Sequence, residues 1–231
     1  MPDFIKQKGS LKYDFLNAKE CLNILTEAEK DELVKHKTDV EFEPGEIIIK
    51  RGILANNILY LTEGLLKLEI INDEKPYTIG LIQSSSFIGI VCCFAFKKYD
   101  FTATAIEKTT VSFIEMATIE KFIKTNGDFA LHLIKHMSGV TNGLFHRITK
   151  LSQKNIEGAI ALQLLDFSEI YNSLNYTLPV VRKELGEIVG YSKESVINTL
   201  SKFNKEEIIK VNDRKITILD KDKLAQISKL G

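Results

Sequence analysis

Between Val180 and Leu200 the chain reads VVRKELGEIVGYSKESVINTL, and the two glycines inside it, Gly186 and Gly190, restrict its folding more than any other feature. Leu185, Ile188 and Val189 recur at helical spacing, so a first helix has one apolar face. A glycine inside a helix costs about 1 kcal/mol relative to alanine, so Gly186 predicts close approach of a second helix. Gly190 then ends the first helix with a left-handed residue, and Ser192 is an N-cap for the next. Val196, Leu200 and Phe203 form the buried stripe of that second helix. Lys193, Glu194, Ser195, Asn198 and Lys202 are left facing outward. The layout is helix–turn–helix, which can insert its second helix into the major groove of DNA. The competing reading is an ordinary αα-hairpin with a solvated charged face.

The outward residues carry the chemistry of base edges. Lysine donates to guanine O6 and N7, glutamate accepts from cytosine N4, and asparagine pairs with adenine through two hydrogen bonds. Arg182, Lys183 and the Ser192 hydroxyl are placed to hold phosphates, which fix register without reading sequence. Beyond the second helix, Glu206–Val211 and Lys215–Leu219 read as two short strands around Asn212-Asp213. That hairpin makes a winged variant with Arg214 and Lys215 at the wing, and residues 222–230 form a closing helix.

With 231 residues the chain can build two modest domains. Its formal net charge is zero, which speaks against a nucleic-acid binder. The distribution answers part of that objection: residues 182–231 carry eleven Lys/Arg against eight Asp/Glu, and the preceding residues carry twenty against twenty-three. Specific contacts must supply what bulk charge does not. Met1–Lys8 lacks the apolar core of a signal peptide, and the longest apolar run, Phe87–Phe96, is too short to cross a bilayer. Three cysteines do not make a secreted disulfide framework. A cytoplasmic location without membrane contact is expected.

Upstream, Thr26-x-x-Glu29 predicts a capping box opening a helix. From Val40 the period changes to short strand-like runs: Phe42, Ile47–Ile49, Ile58–Leu61, Leu65–Ile71, Tyr77–Ile82, Phe101–Ala105 and Val111–Ile114. Turns at Pro44-Gly45, Arg51-Gly52, Glu63-Gly64 and Asn72-Asp73 separate them, the pattern of an all-β sandwich or barrel. After Asn126-Gly127 a long amphipathic helix begins. Leu133, Met137, Val140, Leu144 and Leu151, with Ala130, recur in alternating three- and four-residue steps, as in a coiled-coil seam. Ile134, Phe145 and Ile148 supply a second stripe. Two stripes imply two surfaces, one on the barrel and one on a partner helix. A parallel homodimer is expected, with the Leu133–Leu151 row as its interface, because reading two half-sites about 34 Å apart takes two copies. Arg147 interrupts the row, and Gly139 and Gly143 weaken the helix.

The segment RKELGEIVGYSKESV, residues 182–196, resembles the DNA-binding domain of the CRP/FNR (cyclic-AMP receptor protein / fumarate-nitrate reduction regulator) family of bacterial transcription regulators. The glycines at 45, 52, 64 and 89 fall where the cyclic-nucleotide-binding β-roll of that family turns, so the resemblance spans roughly residues 20–230. It implies an α+β chain: an effector-sensing β-roll with an N-terminal helix over 1–126, a dimerisation helix over 127–151, and a winged helix-turn-helix over 152–231. The family's recognition-helix arginine–glutamate pair becomes Lys193-Glu194, and a further arginine becomes Asn198, so a different operator half-site is implied. Double-stranded DNA with a pseudo-palindromic operator, a second copy of the chain and RNA polymerase are the partners the resemblance implies.

The resemblance places an effector pocket at Gly89, Ile90, Val91, Phe101 and Thr102. Members that bind cyclic AMP hold it with a glycine–glutamate pair and a later arginine–serine pair. Here Gly89 is kept, but Ile90 stands where the glutamate belongs. The later pair falls on Asp100-Phe101 or Phe101-Thr102, with no guanidinium for the phosphate. Cyclic AMP is therefore not expected to bind as it does there. The cassette is either structural and empty or shaped for a less polar effector.

No other chemistry stands out. Cys92-Cys93 with Cys21 falls short of a four-thiolate cluster, so core roles are favoured over a redox switch. His132 and His136 have metal-compatible helical spacing but no glutamate between them. No catalytic constellation, P-loop or dinucleotide fingerprint is present, and the clustered His-x-His of a cupin enzyme is missing. A non-enzyme without a metal site or cofactor is expected, with haem or another redox cofactor left open. A small-molecule-binding β-roll whose helix-turn-helix serves protein contacts is the alternative function.

Overall fold

The structure, a computed structural model, describes residues 18–231. The readings at Met1–Lys8 lie outside the described residues. A short helix α1 (Lys19–Asn23) leads into α2 (Glu27–Lys35). Thr26 caps α2 as expected: its hydroxyl accepts from Glu29 N at 3.3 Å, and the Glu29 carboxylate accepts from Thr26 N at 2.9 Å. Eight strands follow: β1 (Lys37–Phe42), β2 (Ile47–Ile49), β3 (Asn57–Glu63), β4 (Leu65–Asn72), β5 (Lys75–Gln83), β6 (Ser86–Ile88), β7 (Thr102–Ala105) and β8 (Thr109–Glu115). They form two four-stranded antiparallel sheets, ordered β1-β8-β3-β6 and β2-β7-β4-β5. Inward residues such as Leu59, Leu61, Leu66 and Val111 are fully buried between them. Alternation of apolar and polar residues thus closes a β-roll with one core.

The apolar segment between β6 and β7 is not a strand. After β6 the chain turns at Gly89, whose φ is +80°, and Cys92–Phe96 forms one π-helical turn. Lys97 N donates to Cys92 O at 2.8 Å, and Lys97 itself is left-handed at φ 56°. The apolar run Phe87–Phe96 gave no periodicity that separates a buried strand from a short helical turn.

Helix α3 (Met116–Thr125) returns across the roll and α4 (Gly127–Ser152) runs on for 26 residues. Asn126 caps α4 by accepting from Phe129 N at 3.0 Å. Beyond it come α5 (Ile156–Ile170), β9 (Asn175–Thr177), α6 (Arg182–Val189), α7 (Lys193–Lys205), β10 (Ile209–Asn212), β11 (Lys215–Ile218) and α8 (Lys221–Leu230). The wing is a three-stranded sheet, β10-β11-β9, rather than the two strands expected, because β9 adds to its edge. This part has its own apolar core, including Phe167, Leu185, Val196, Phe203 and Ile216. No helix among the described residues is long and apolar enough to cross a membrane.

Candidate nucleic-acid interface

Gly186 and Gly190 act locally. Gly190 sits at φ +79°, closing α6 in the left-handed region where a side chain is strained. A Cβ on Gly186 would lie 2.5 Å from the Tyr191 carbonyl oxygen, so only glycine lets the start of α7 come this close. Ser192 then caps α7, its Oγ accepting from Ser195 N at 3.2 Å and donating to Ser195 Oγ at 3.1 Å. Val196, Leu200 and Phe203 are buried, whereas Lys193, Glu194 and Asn198 are exposed on one outward face.

The remaining expected DNA contacts are distributed less simply. Lys202 lies round the helix, with its ammonium 2.6 Å from Glu157 of α5. Arg182 at the start of α6 donates to the Asp213 carbonyl in the β10–β11 turn, tying that helix end to the wing. Arg214 donates to Leu178 O at 2.6 Å, Lys183 pairs with Glu187 at 3.2 Å, and Lys215 is exposed. A cleft lined by Arg182, Lys193, Val211, Asp213 and Arg214 separates α7 from the wing.

The helix-turn-helix is also held against the roll, through residues that periodicity did not single out. β5 is the edge of its sheet, so one row of its backbone groups lacks a strand partner. The Glu187 carboxylate accepts from Thr78 N at 2.8 Å, and Tyr77 Oη donates to Glu187 O at 2.8 Å. Lys67 of β4 sits 2.5 Å from Glu184 and 3.1 Å from Glu69. Burial would lower the Lys67 pKa, but the two carboxylates outweigh it and raise it above the ordinary lysine value. Burial likewise acts to raise the Glu187 pKa, but hydrogen bonds from Thr78 and Lys183 hold it below the usual carboxylate range.

At the expected effector pocket, Tyr99 packs over Gly89. Tyr99 is buried, and its hydroxyl donates to Asn57 O at 2.5 Å. Its ring covers Gly89: a Cβ there would lie 2.6 Å from Tyr99 Cε1. Gly89 is thus required by its φ and by this ring, with no phosphate in the explanation. Phe101 meets Tyr99 edge-on, Ile90 is buried, Thr102 Oγ1 accepts from Arg51 N at 3.3 Å, and Val91 is exposed. Asp100 accepts from Cys92 Sγ at 3.2 Å. Cys92 and Cys93 are buried on the π turn, and burial pushes the Cys93 thiol up to about 11. Cys21 is raised to about 11 for the same reason.

The row of α4 expected at a partner interface is split by the subunit's own packing. Leu133 is buried in the roll's own core and Met137 packs against that core, while Leu151 packs against the C-terminal core. Those three are therefore consumed within the subunit; Val140 is half-buried and Leu144 exposed. The open row is the other stripe: Ile134, Phe145 and Ile148 are 62%, 65% and 63% exposed. Arg147, in the Leu133–Leu151 row, turns to Asp166 at 3.0 Å and Gln163 at 2.5 Å on α5. A groove of about 750 Å³ runs beside the open row, lined by Val91, Phe94, Ala95, Met137, Thr141 and Phe145. His136 is half-buried edge-on against Phe87, and burial lowers its pKa.

A β-roll, a long helix and a winged helix-turn-helix with an exposed polar face are the parts of a DNA-binding transcription regulator. Comparison with known proteins agrees. Residues 39–126 match the cyclic nucleotide-binding domain and residues 159–227 match the Crp-like helix-turn-helix domain. The chain belongs to the CRP/FNR family of transcription regulators. It is 24% identical over 204 residues to the fumarate and nitrate reduction regulatory protein of Yersinia pestis, covering 86% of this chain and 80% of that one. Among solved structures it is similar to FixK2 from Bradyrhizobium japonicum, with a TM-score of 0.70, 18% identity, and coverage of 83% of this chain and 96% of that one. A CRP-family regulator from Thermus thermophilus gives a TM-score of 0.71 at 19% identity, covering 82% of this chain and 96% of that one.

Proposed function

We propose that this chain acts as a homodimer that reads a pseudo-palindromic DNA operator through α7. The observation that carries the reading is the face of Lys193, Glu194 and Asn198, exposed between the start of α6 and the wing. Lys193 donates to guanine, Glu194 accepts from cytosine and Asn198 pairs with adenine. Arg182, Lys183, Ser192, Arg214 and Lys215 lie around that face as the phosphate-side contacts. The second copy packs its own α4 along Ile134, Phe145 and Ile148 and covers the groove beside them. The 7-residue interval from Ile134 through Thr141 to Ile148 is the heptad step that keeps one seam on a partner.

Cyclic nucleotide is not the signal in this reading. The Tyr99 ring covers Gly89, Ile90 stands in place of a carboxylate, and the raised thiol pKa values at 92 and 93 argue against a thiolate-based switch. Any effector acts on the apolar surface between the π turn and α4. The test is selection of duplexes from a randomised pool, followed by titration of Lys193→Ala and Asn198→Ala. Each variant is expected to lose about 1–3 kcal/mol on the selected duplex and to relax the preference at one base pair. Unchanged affinity and unchanged preference in both variants would remove α7 from base reading.

A further inference from the structure

Ile197 is the residue on the reading face that neither the fold nor the polar base contacts explain. It lies one turn beyond Lys193 and Glu194 and, viewed down the α7 axis, falls between them. It is 41% exposed and lies outside both apolar cores. Its side chain borders two clefts at once, one shared with Lys193, Arg182 and Arg214, the other with Ser201 and Asn204. A single exposed isoleucine is ordinary on a protein surface. At the centre of a charged, groove-facing helix it is not, because each flanking side chain offers a hydrogen bond and this one offers none.

Resting on the DNA reading above, we infer that Ile197 is a specificity determinant that reads a thymine through its C5-methyl group. The major groove presents hydrogen-bond donors and acceptors at every base pair, and the thymine methyl is its apolar feature. A β-branched side chain with a stiff χ1 presents a fixed methyl surface to that group with little ordering on contact. Burying the pair excludes water from both. A purine at that position leaves a polar edge facing Ile197 without a partner, and cytosine offers only a C5–H, so the residue selects against purines as well as for thymine.

The test separates this inference from the reading beneath it. Wild-type protein first selects a duplex from a randomised pool. Each thymine of that duplex is then replaced singly, in both half-sites together, by deoxyuridine. Uracil keeps every hydrogen-bonding atom and lacks only the methyl. One symmetric pair of thymines is expected to matter, with affinity falling about fourfold per half-site for each lost methyl contact. Ile197→Ala is expected to bind the thymine and uracil duplexes equally, and Ile197→Val to retain an intermediate preference. Because the side chain is exposed, circular dichroism and thermal unfolding of both variants should match wild type. If wild type binds every uracil duplex as tightly as the parent, or if Ile197→Ala keeps the full thymine preference, the inference is wrong while DNA reading stands. If wild type selects no common duplex, both fall.

Discussion

At the scale of residues, partners from other elements decide what the charged groups do, and burial decides it for the thiols. Lys193 and Lys202 look equivalent in the sequence, two lysines on the polar face of one helix. Glu157 on α5 distinguishes them by holding the Lys202 ammonium at 2.6 Å. That partner comes from a different element 45 residues away, so helical periodicity alone had no means of finding it. The partners of Arg147, Asp166 and Gln163, likewise belong to the following helix and had no signal in spacing. The three cysteines give a residue-scale prediction. The thiolate is the reactive form, and burial raises the pKa of Cys21, Cys92 and Cys93 alike. Native protein at pH 7 should therefore react slowly with a disulfide reagent such as DTNB, and all three thiols should react once it is denatured. Rapid reaction of one thiol per native chain would contradict this placement and reopen a redox role for the π turn.

At the scale of elements, the contact between the edge strand β5 and helix α6 couples the two halves of the subunit. The Glu187 carboxylate accepts from Thr78 N, and its pKa lies below the ordinary value of 4.5. A carboxylate with a depressed folded pKa contributes stability that is complete above the unfolded value and lost as pH falls through the folded one. Amide-exchange protection at Thr78 should accordingly hold from neutrality down to about pH 5 and fall below it, ahead of global unfolding. Lys67→Met removes the cation between Glu69 and Glu184. The Lys67 side chain keeps 17% exposure, so the loss should be about 1–2 kcal/mol, below the 3–5 kcal/mol of a fully buried pair. A variant with unchanged stability and unchanged Thr78 protection would show that the contact holds nothing. These residues were silent in the sequence because an interdomain contact has no period. By contrast, the capping box at Thr26, the glycine turn at Gly190 and the N-cap at Ser192 were legible, since each is fixed by neighbours within three or four residues. β9 and the π turn were missed: one is a three-residue strand completed by a distant edge, the other lies in an apolar run with no periodic signature.

For the whole molecule, the central claim is that two copies present α7 to one duplex. Two apolar stripes on α4 could be read from spacing, but not which one the subunit would consume. That depended on where the roll sits, and the roll took Leu133 and Met137. Phe145→Glu places a charge on the remaining row and should yield monomers that bind the selected duplex far more weakly, with the fold intact because Phe145 is 65% exposed. With Arg182, Lys183, Arg214 and Lys215 on phosphates in both copies, log affinity should fall against log salt with a slope of about −7. The most direct measurement is the stoichiometry and footprint of wild-type protein on its selected duplex, by light scattering and hydroxyl-radical cleavage. Two chains per duplex should protect two inverted half-sites centred about 34 Å apart on one face of the helix. One chain per duplex, or protection without two related half-sites, would contradict the account.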